Sequence, residues 1–160
     1  MNTITFDRTS NWIDKSLWGN GEWQSEPDKA QWVDSATGLD CLLVRNSNIG
    51  NLCGYVGVTE KHPYFGKGYN DVDADVHGGL TFANACSENA EGHGVCHVPL
   101  PGRSDHVWWL GFDCAHCYDL SPGIRSRLPV ELHSNSEIYR NVDYVVAECT
   151  KLAEQLASVS

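Results

Sequence analysis

From Asp71 to His77 polar and apolar residues alternate without a miss, in the run Asp71-Val72-Asp73-Ala74-Asp75-Val76-His77-Gly78-Gly79. Period two belongs to an extended chain, whose successive side chains point to opposite faces. Read as a strand, the run puts Val72, Ala74 and Val76 on one face and Asp71, Asp73, Asp75 and His77 on the other. Same-face neighbours two residues apart stand roughly 7 Å from each other. Three carboxylates so placed repel one another unless a cation or a hydrogen-bond donor sits among them. The surface is therefore either a working site or the hydrated side of a half-exposed antiparallel strand. The glycines that follow permit a tight turn or a close approach of backbone to ligand.

Other segments supply a sheet for this strand to join. Lys29 to Asp34 reads as a short strand around Trp32 and Val33, Ser35 to Gly38 as a turn, and Leu39 to Arg45 as a second strand, together a hairpin. After the Asn- and Gly-rich turn Asn46 to Asn51, Leu52 to Val58 reads as a third strand. Val107 to Asp113 is the most apolar run and reads as a central strand, and Leu80 to Phe82 extends or returns from the Gly-Gly turn. Val95 to Val98 is a short strand ended by Pro99 and Pro101.

Helix signals are fewer. Ser10 is placed to cap a short helix through Lys15. Ser134 and Glu137 have capping-box spacing, and Ile138, Val142, Val145, Val146, Cys149, Leu152 and Leu156 recur at three- and four-residue steps, so a helix is predicted over 134–155. Trp12, Trp18 and Trp23 are read as covering the core, Thr59 to Asn70 as an ordered aromatic loop, and Asn84 to Gly94 as a mobile loop. No repeat or linker divides the 160 residues, so 1–160 form a single domain. The fold class is α+β: a meander-like antiparallel sheet with a long C-terminal helix packed on one face.

Charge and cysteine content limit the function. With 21 acidic against 11 basic residues the net charge is -10, and the basic residues are scattered, which excludes a nucleic acid duplex as partner. A small anionic ligand is compatible, because a few arginines or a metal handle one phosphate locally. No basic region leads into an apolar run and no 18 apolar residues are consecutive, so no membrane association and a cytoplasmic location are expected. In a reducing cytosol the seven cysteines are expected to be buried thiols, metal ligands or nucleophiles.

A second chemical cluster, Asp113-Cys114-Ala115-His116-Cys117-Tyr118-Asp119, sits where the apolar strand ends. Carboxylates and imidazoles together suit a divalent metal that activates water, zinc or magnesium/manganese, with a spare acid or imidazole as base. Asp75, His77 and His116 are the candidate ligands, and Asp73, His77, Asp113 and His116 the candidate catalytic residues, provided strands 71–77 and 107–113 are neighbours. Cys86, Cys96, Cys114 and Cys117 are the alternative, a structural zinc site. Tyr64, Phe65, Gly78, Gly79, Trp108 and Trp109 are candidates to line a ligand pocket, the aromatic ones by stacking. No phosphate-cradling glycine loop is present, so nicotinamide and kinase chemistry are not expected.

The segments Cys53-Gly-Tyr-Val-Gly-Val58, His62-Pro63, Asp73-Ala-Asp-Val-His-Gly-Gly-Leu-Thr81, Cys96-His-Val-Pro99 and Trp108-Trp-Leu-Gly-Phe-Asp-Cys-Ala-His116 resemble a family of small uncharacterised proteins of bacteria and their phages, over about residues 17 to 155. The resemblance carries no catalytic residue, but a phage setting implies counter-defence against a host immune signal. Three readings follow from the residues. The first is a metal-assisted hydrolase of a small phosphorylated or nucleotide-like molecule; the second, a non-catalytic protein that sequesters a nucleotide-like signal; the third, a structural or partner-binding protein whose Cys and His belong to the core.

Overall fold

The computed structural model describes residues 4–87 and 91–159 of the chain. Residues 88–90 of the segment read as a mobile loop lie outside them. The hairpin is where the sequence puts it: β2 (Lys29–Val33) and β3 (Asp40–Arg45) pair antiparallel, with Trp32 opposite Cys41. The Asp34 carboxylate closes their turn by accepting from the Thr37 N–H at 3.0 Å and hydroxyl at 2.6 Å. β4 (Leu52–Thr59) follows β3 as the meander requires, and β6 (Val107–Asp113) lies on its far side. β1 (Arg8–Ser10) and β5 (Phe82–Ala85) form the edges, giving the order β1-β2-β3-β4-β6-β5 with every pairing antiparallel.

Helix α2 (Val142–Ala157) covers one face of the sheet, and a short α1 (Pro122–Arg125) precedes it. Val145, Cys149, Leu152 and Leu156 of α2 pack with Trp32, Leu43, Val56, Leu110 and Phe112, all essentially buried. Burial of each such side chain contributes roughly 1.5–3 kcal/mol. The helix comes close enough that a Cβ on Gly54 would overlap Phe112 and stand 2.8 Å from the Cys149 sulfur. The opposite face carries Leu42, Val44, Tyr55, Val107 and Trp109, with Trp12, Phe82 and Val95 packed over them. Gln31 pins the 91–98 segment there, giving a hydrogen bond to the Val98 carbonyl at 2.7 Å and taking one from its N–H at 2.9 Å.

Four expectations are corrected. The run 71–77 has Val72 and Val76 buried and the acids exposed as alternation demands, yet it is no strand of the sheet: Asp71 ends a 3-10 turn (Tyr69–Asp71) and His77 enters another turn. β5 holds the place beside β6, and 72–77 runs along α2 instead, where helix side chains bind its backbone. Gln155 exchanges two hydrogen bonds with Asp75, at 2.7 and 2.9 Å, and Glu148 accepts from the His77 N–H at 2.8 Å. Helix α2 begins at Val142, not near Ser134, with Asn141 as its cap accepting from the Tyr144 N–H. Ile138 is drawn off into a parallel bridge with 118–120, through 2.7 and 2.8 Å backbone bonds. No helix follows Ser10, because the Asp28 carboxylate captures the Trp12 and Ile13 N–H groups, each at 2.9 Å. Val95 to Val98 forms no strand beyond the Val95 bridge to Ser87.

Asp28 is also the centre of a buried ionic cluster. Its carboxylate meets Lys15 Nζ at 2.7 Å and Arg45 Nε at 3.2 Å. Arg45 donates to Tyr139 Oη at 2.7 Å, Tyr139 to Glu26 at 2.6 Å, and Glu26 in turn receives the Val142 N–H at 2.7 Å, fixing the start of α2.

The cysteines hold a further correction, since Cys86 and Cys96 are joined by a disulfide and are not free thiols. Ser87 and Val95 exchange both backbone hydrogen bonds, so the pair outside them is a non-hydrogen-bonded one with Cα atoms 4.7 Å apart, within disulfide reach. No helix among the described residues is long and apolar enough to cross a membrane.

Candidate functional site

Beyond β6 the chain makes a tight turn in which the His116 N–H donates to Asp119 Oδ2 at 3.0 Å and the Asp119 N–H returns to the His116 carbonyl at 3.0 Å. Tyr118 inside it is left-handed, at φ 72°, a conformation costly for a non-glycine residue. The turn is held to residue 138 by the bridge described above, and it directs the buried Asp119 carboxylate toward His77. His77 ends the 72–77 segment at a turn closed by the Gly79 N–H to the Val76 carbonyl, with Gly78 and Gly79 at φ 67° and 81°.

Both His77 ring nitrogens are engaged: Nε2 is 2.7 Å from Asp119 Oδ2 and Nδ1 is 2.7 Å from Tyr144 Oη. Burial raises the Asp119 carboxyl, but hydrogen bonds from His77, Arg140 and the His116 N–H outweigh it and hold the group below the usual carboxylate range. An ionised carboxylate only accepts, so Nε2 donates to Asp119; in the tautomer with its one proton there, Nδ1 accepts and Tyr144 donates its hydroxyl. Hydroxyl, imidazole and carboxylate thus form one directed chain. Arg140 Nε secures the other carboxylate oxygen at 2.9 Å, and its guanidinium lies 5.0 Å over the Tyr144 ring. The Tyr144 hydroxyl itself is raised by partial burial and by Glu148, so it is protonated at neutral pH.

Of the residues read from the sequence, His77, His116 and Asp113 come together. The two imidazole centroids are 6.0 Å apart and His116 Nε2 is 3.2 Å from Asp113 Oδ1, while Thr81 donates to Asp113 Oδ2 at 3.0 Å. They meet at the end of β6 through loops, although 72–77 and β6 are not adjacent strands. Gly78 lies directly under the His116 ring, where a Cβ would collide with it, and Gly79 has nothing near it. Asp73 is exposed, its N–H 3.4 Å from Tyr64 Oη, and takes no part.

The aromatic candidates are elsewhere. Phe65 and Trp108 are neighbours at 6.0 Å, and Trp108 donates to the Lys67 carbonyl at 3.0 Å. Trp108 is five residues before Asp113 on β6, so this group sits roughly 17 Å from the His116 end of the strand. Trp109 is fully buried on the opposite face, edge-on to His97 at 5.1 Å, and offers no face to a ligand. The sequence pooled into one pocket what the strand separates.

The expected metal ligands do not converge. The Asp75 carboxylate is exposed and 3.5 Å from Lys151, and both His77 nitrogens are occupied. Among the described residues no group of three or more His, Cys, Asp and Glu side chains is placed to hold a metal ion. The Cys86–Cys96 bond takes two of the four thiols of the zinc alternative, and of the other two Cys114 is buried and Cys117 exposed. Burial and the neighbouring Asp119 push the Cys114 thiol up, so it is an unreactive thiol rather than a nucleophile.

Tyr144 and Arg140 escaped the sequence reading. Tyr144, Glu148 and Gln155 lie on the polar side of α2, away from its apolar stripe, and Arg140 precedes the helix cap, so the apolar periodicity carries no signal for either residue. Concavity and chemistry part company as well. A cleft of about 110 Å³ lies between Arg8, Ser10, Lys29, Gln31 and Val98, but Lys29 Nζ is already bound by the Gly92 and Gly94 carbonyls at 3.0 and 2.7 Å. The His77 cluster, where reactive groups are aligned and within reach of solvent, is the stronger candidate. No family model matches the chain, and neither a curated protein nor a solved structure is similar to it.

Proposed function

We propose that the protein is a hydrolase of a small phosphorylated or nucleotide-like molecule, with Tyr144, His77 and Asp119 as its proton relay. The observation that carries this reading is the pair of 2.7 Å bonds gripping the His77 ring. A hydroxyl bonded to a base that a third group orients is the arrangement that activates hydroxyls in unrelated enzymes. Tyr144 Oη accepts a proton from the attacking water while passing its own to His77 Nδ1, and the fixed Asp119 charge stabilises the imidazolium. The same path in reverse delivers the proton to the leaving oxygen, which balances the reaction. The expected divalent metal is not carried into this reading, because His77 has both ring nitrogens bonded and the Asp75 carboxylate faces Lys151.

We take a host immune signal as the substrate and the cytoplasm as the place of action, as the sequence segments that resemble phage proteins imply. The latter requires the Cys86–Cys96 bond to persist against glutathione. A second reading, sequestration, is favoured by the same saturated ring, since a His77 with no free nitrogen also serves as a rigid anchor.

The deciding experiment incubates the protein with a panel of phosphorylated nucleosides, with and without chelator, denatures it, and analyses the small molecules. Cleavage that survives chelator and falls at least about 100-fold in Tyr144→Phe and His77→Gln supports the relay. A compound recovered bound and intact establishes sequestration instead. Cleavage that needs added metal, or that is untouched by Tyr144→Phe, refutes the relay.

A further inference from the structure

Arg140 immediately precedes the cap of α2, and its guanidinium is held twice, by the single Nε bond to Asp119 at 2.9 Å and by the Tyr144 ring 5.0 Å beneath it. No described residue accepts a hydrogen bond from Nη1 or Nη2, and the side chain is 21% exposed. An arginine that spends only Nε on its carboxylate keeps the outer edge of its planar fork, with two parallel N–H directions that match two oxygens of a phosphate or carboxylate. A fork pinned on two sides also loses little side-chain freedom when it binds.

We infer that Arg140 is the anion-recognition residue of this site and selects substrates with a terminal phosphate, held by Nη1 and Nη2 at the edge of the Tyr144 ring. The inference rests on the relay reading for what happens next, but phosphate binding needs only the fork. The Tyr144 ring that supports the guanidinium also bears the hydroxyl bonded to His77, so recognition and proton transfer share one side chain. The chain's net charge of -10 opposes anions in general. Asp119 offsets part of the arginine's charge, and Glu148 and the exposed Asp143 lie nearby on α2. Geometry rather than overall potential must therefore attract the ligand, and two-oxygen recognition provides it where a point charge would not.

The probe is inorganic phosphate, titrated into isotope-labelled protein while the Arg140 Nε–H signal is followed by NMR, with acetate as a second arm. A saturable shift of that signal is expected, stronger for phosphate than for acetate. Followed in both proteins on the His116 backbone N–H, which donates to Asp119, the Kd should rise about tenfold or more in Arg140→Lys, which keeps a charge but loses the fork. With a cleavable phosphorylated substrate the same variant should raise KM by a larger factor than it lowers kcat, since the arginine also secures Asp119. Phosphate shifts that bypass Arg140, or a lysine variant binding as tightly as the native protein, overturn the inference. Because the NMR arm uses the native chain, a variant that fails to fold does not protect it. The two readings fail separately. Arg140-dependent phosphate binding without cleavage sinks the relay alone; cleavage that needs Tyr144 but keeps its KM in Arg140→Lys sinks the anion site alone.

Discussion

Gly78 and Gly79 are neighbours with similar φ and different surroundings, which makes them a matched pair for isolating one contact. Both have positive φ, 67° and 81°, so alanine at either meets the left-handed penalty of roughly 1–2 kcal/mol. At Gly79 nothing lies within 4 Å of a new Cβ, whereas at Gly78 the methyl runs into the His116 imidazole. That ring is 35% exposed, so it escapes by swinging toward solvent and gives up its 3.2 Å approach to Asp113, a contact of about 0–1 kcal/mol at the surface. Gly79→Ala should therefore cost about 1 kcal/mol and Gly78→Ala about 2 kcal/mol, measured by urea unfolding with tryptophan fluorescence. In a His116→Ala background the collision is gone and the two substitutions should cost the same, the difference appearing as a coupling of about 0.5–1 kcal/mol. Equal costs in the native background, or a difference that survives without His116, would refute this placement of the ring.

Three further outcomes are expected. Asp28→Ala should lower stability by about 3–5 kcal/mol in urea titrations, because it leaves buried Arg45 and Lys15 without their shared carboxylate; a loss under about 1 kcal/mol would mean the cluster is not formed. Acid should destabilise the fold in two windows. Burial depresses buried His97 from 6.5, so the unfolded chain takes its proton first and stability declines as pH falls below that value; Asp28 and Asp119, both held below 3.8, lose their contribution only as pH falls through their lower folded values. Thermal melting that is flat from pH 7 to about 5 would contradict the first window. Reduction should cost up to about 3 kcal/mol, since the disulfide closes a loop of 10 positions, and an unchanged urea midpoint under reductant would show that the bond is absent.

Legibility in the sequence followed how local each determinant is. The β2–β3 hairpin, β4 and β6 declare themselves through turn residues and apolar runs a few positions long, and each lies within a residue or so of its expected bounds. The alternation of 71–77 was also a true signal, with Val72 and Val76 buried, but alternation reports an extended chain and not what it pairs with. Whether β5 or this run lies beside β6 depends on Gln155 and Glu148, about 70 to 80 residues away. The start of α2 misled for the same reason: the capping box at Ser134 is a plausible local choice, overruled by the Ile138 bridge and by Glu26 receiving the Val142 N–H. In the site, His77, His116 and Asp113 were visible as residue types, while their partner Tyr144 was hidden in a helix read only for its apolar face. Cys86 and Cys96 were judged by compartment, though the hairpin register brings them together.

The position of β6 has a kinetic consequence. β2, β3 and β4 are joined by short turns and can pair as soon as they exist, since their contacts are close in sequence. β6 must find β4 across the whole stretch from Thr59 to Val107, a closure whose entropic cost precedes any contact that rewards it. His77 lies inside that stretch, whereas Asp119 and Tyr144 come after it, so the relay cannot exist until the long closure is complete and α2 has docked. A chain emerging from the ribosome therefore acquires its meander first and the Tyr144–His77–Asp119 hydrogen-bond chain last. Recovery of the His77 environment after dilution from denaturant should lag behind the sheet signal, and the time between them measures how long the meander exists before the His77 hydrogen bonds close.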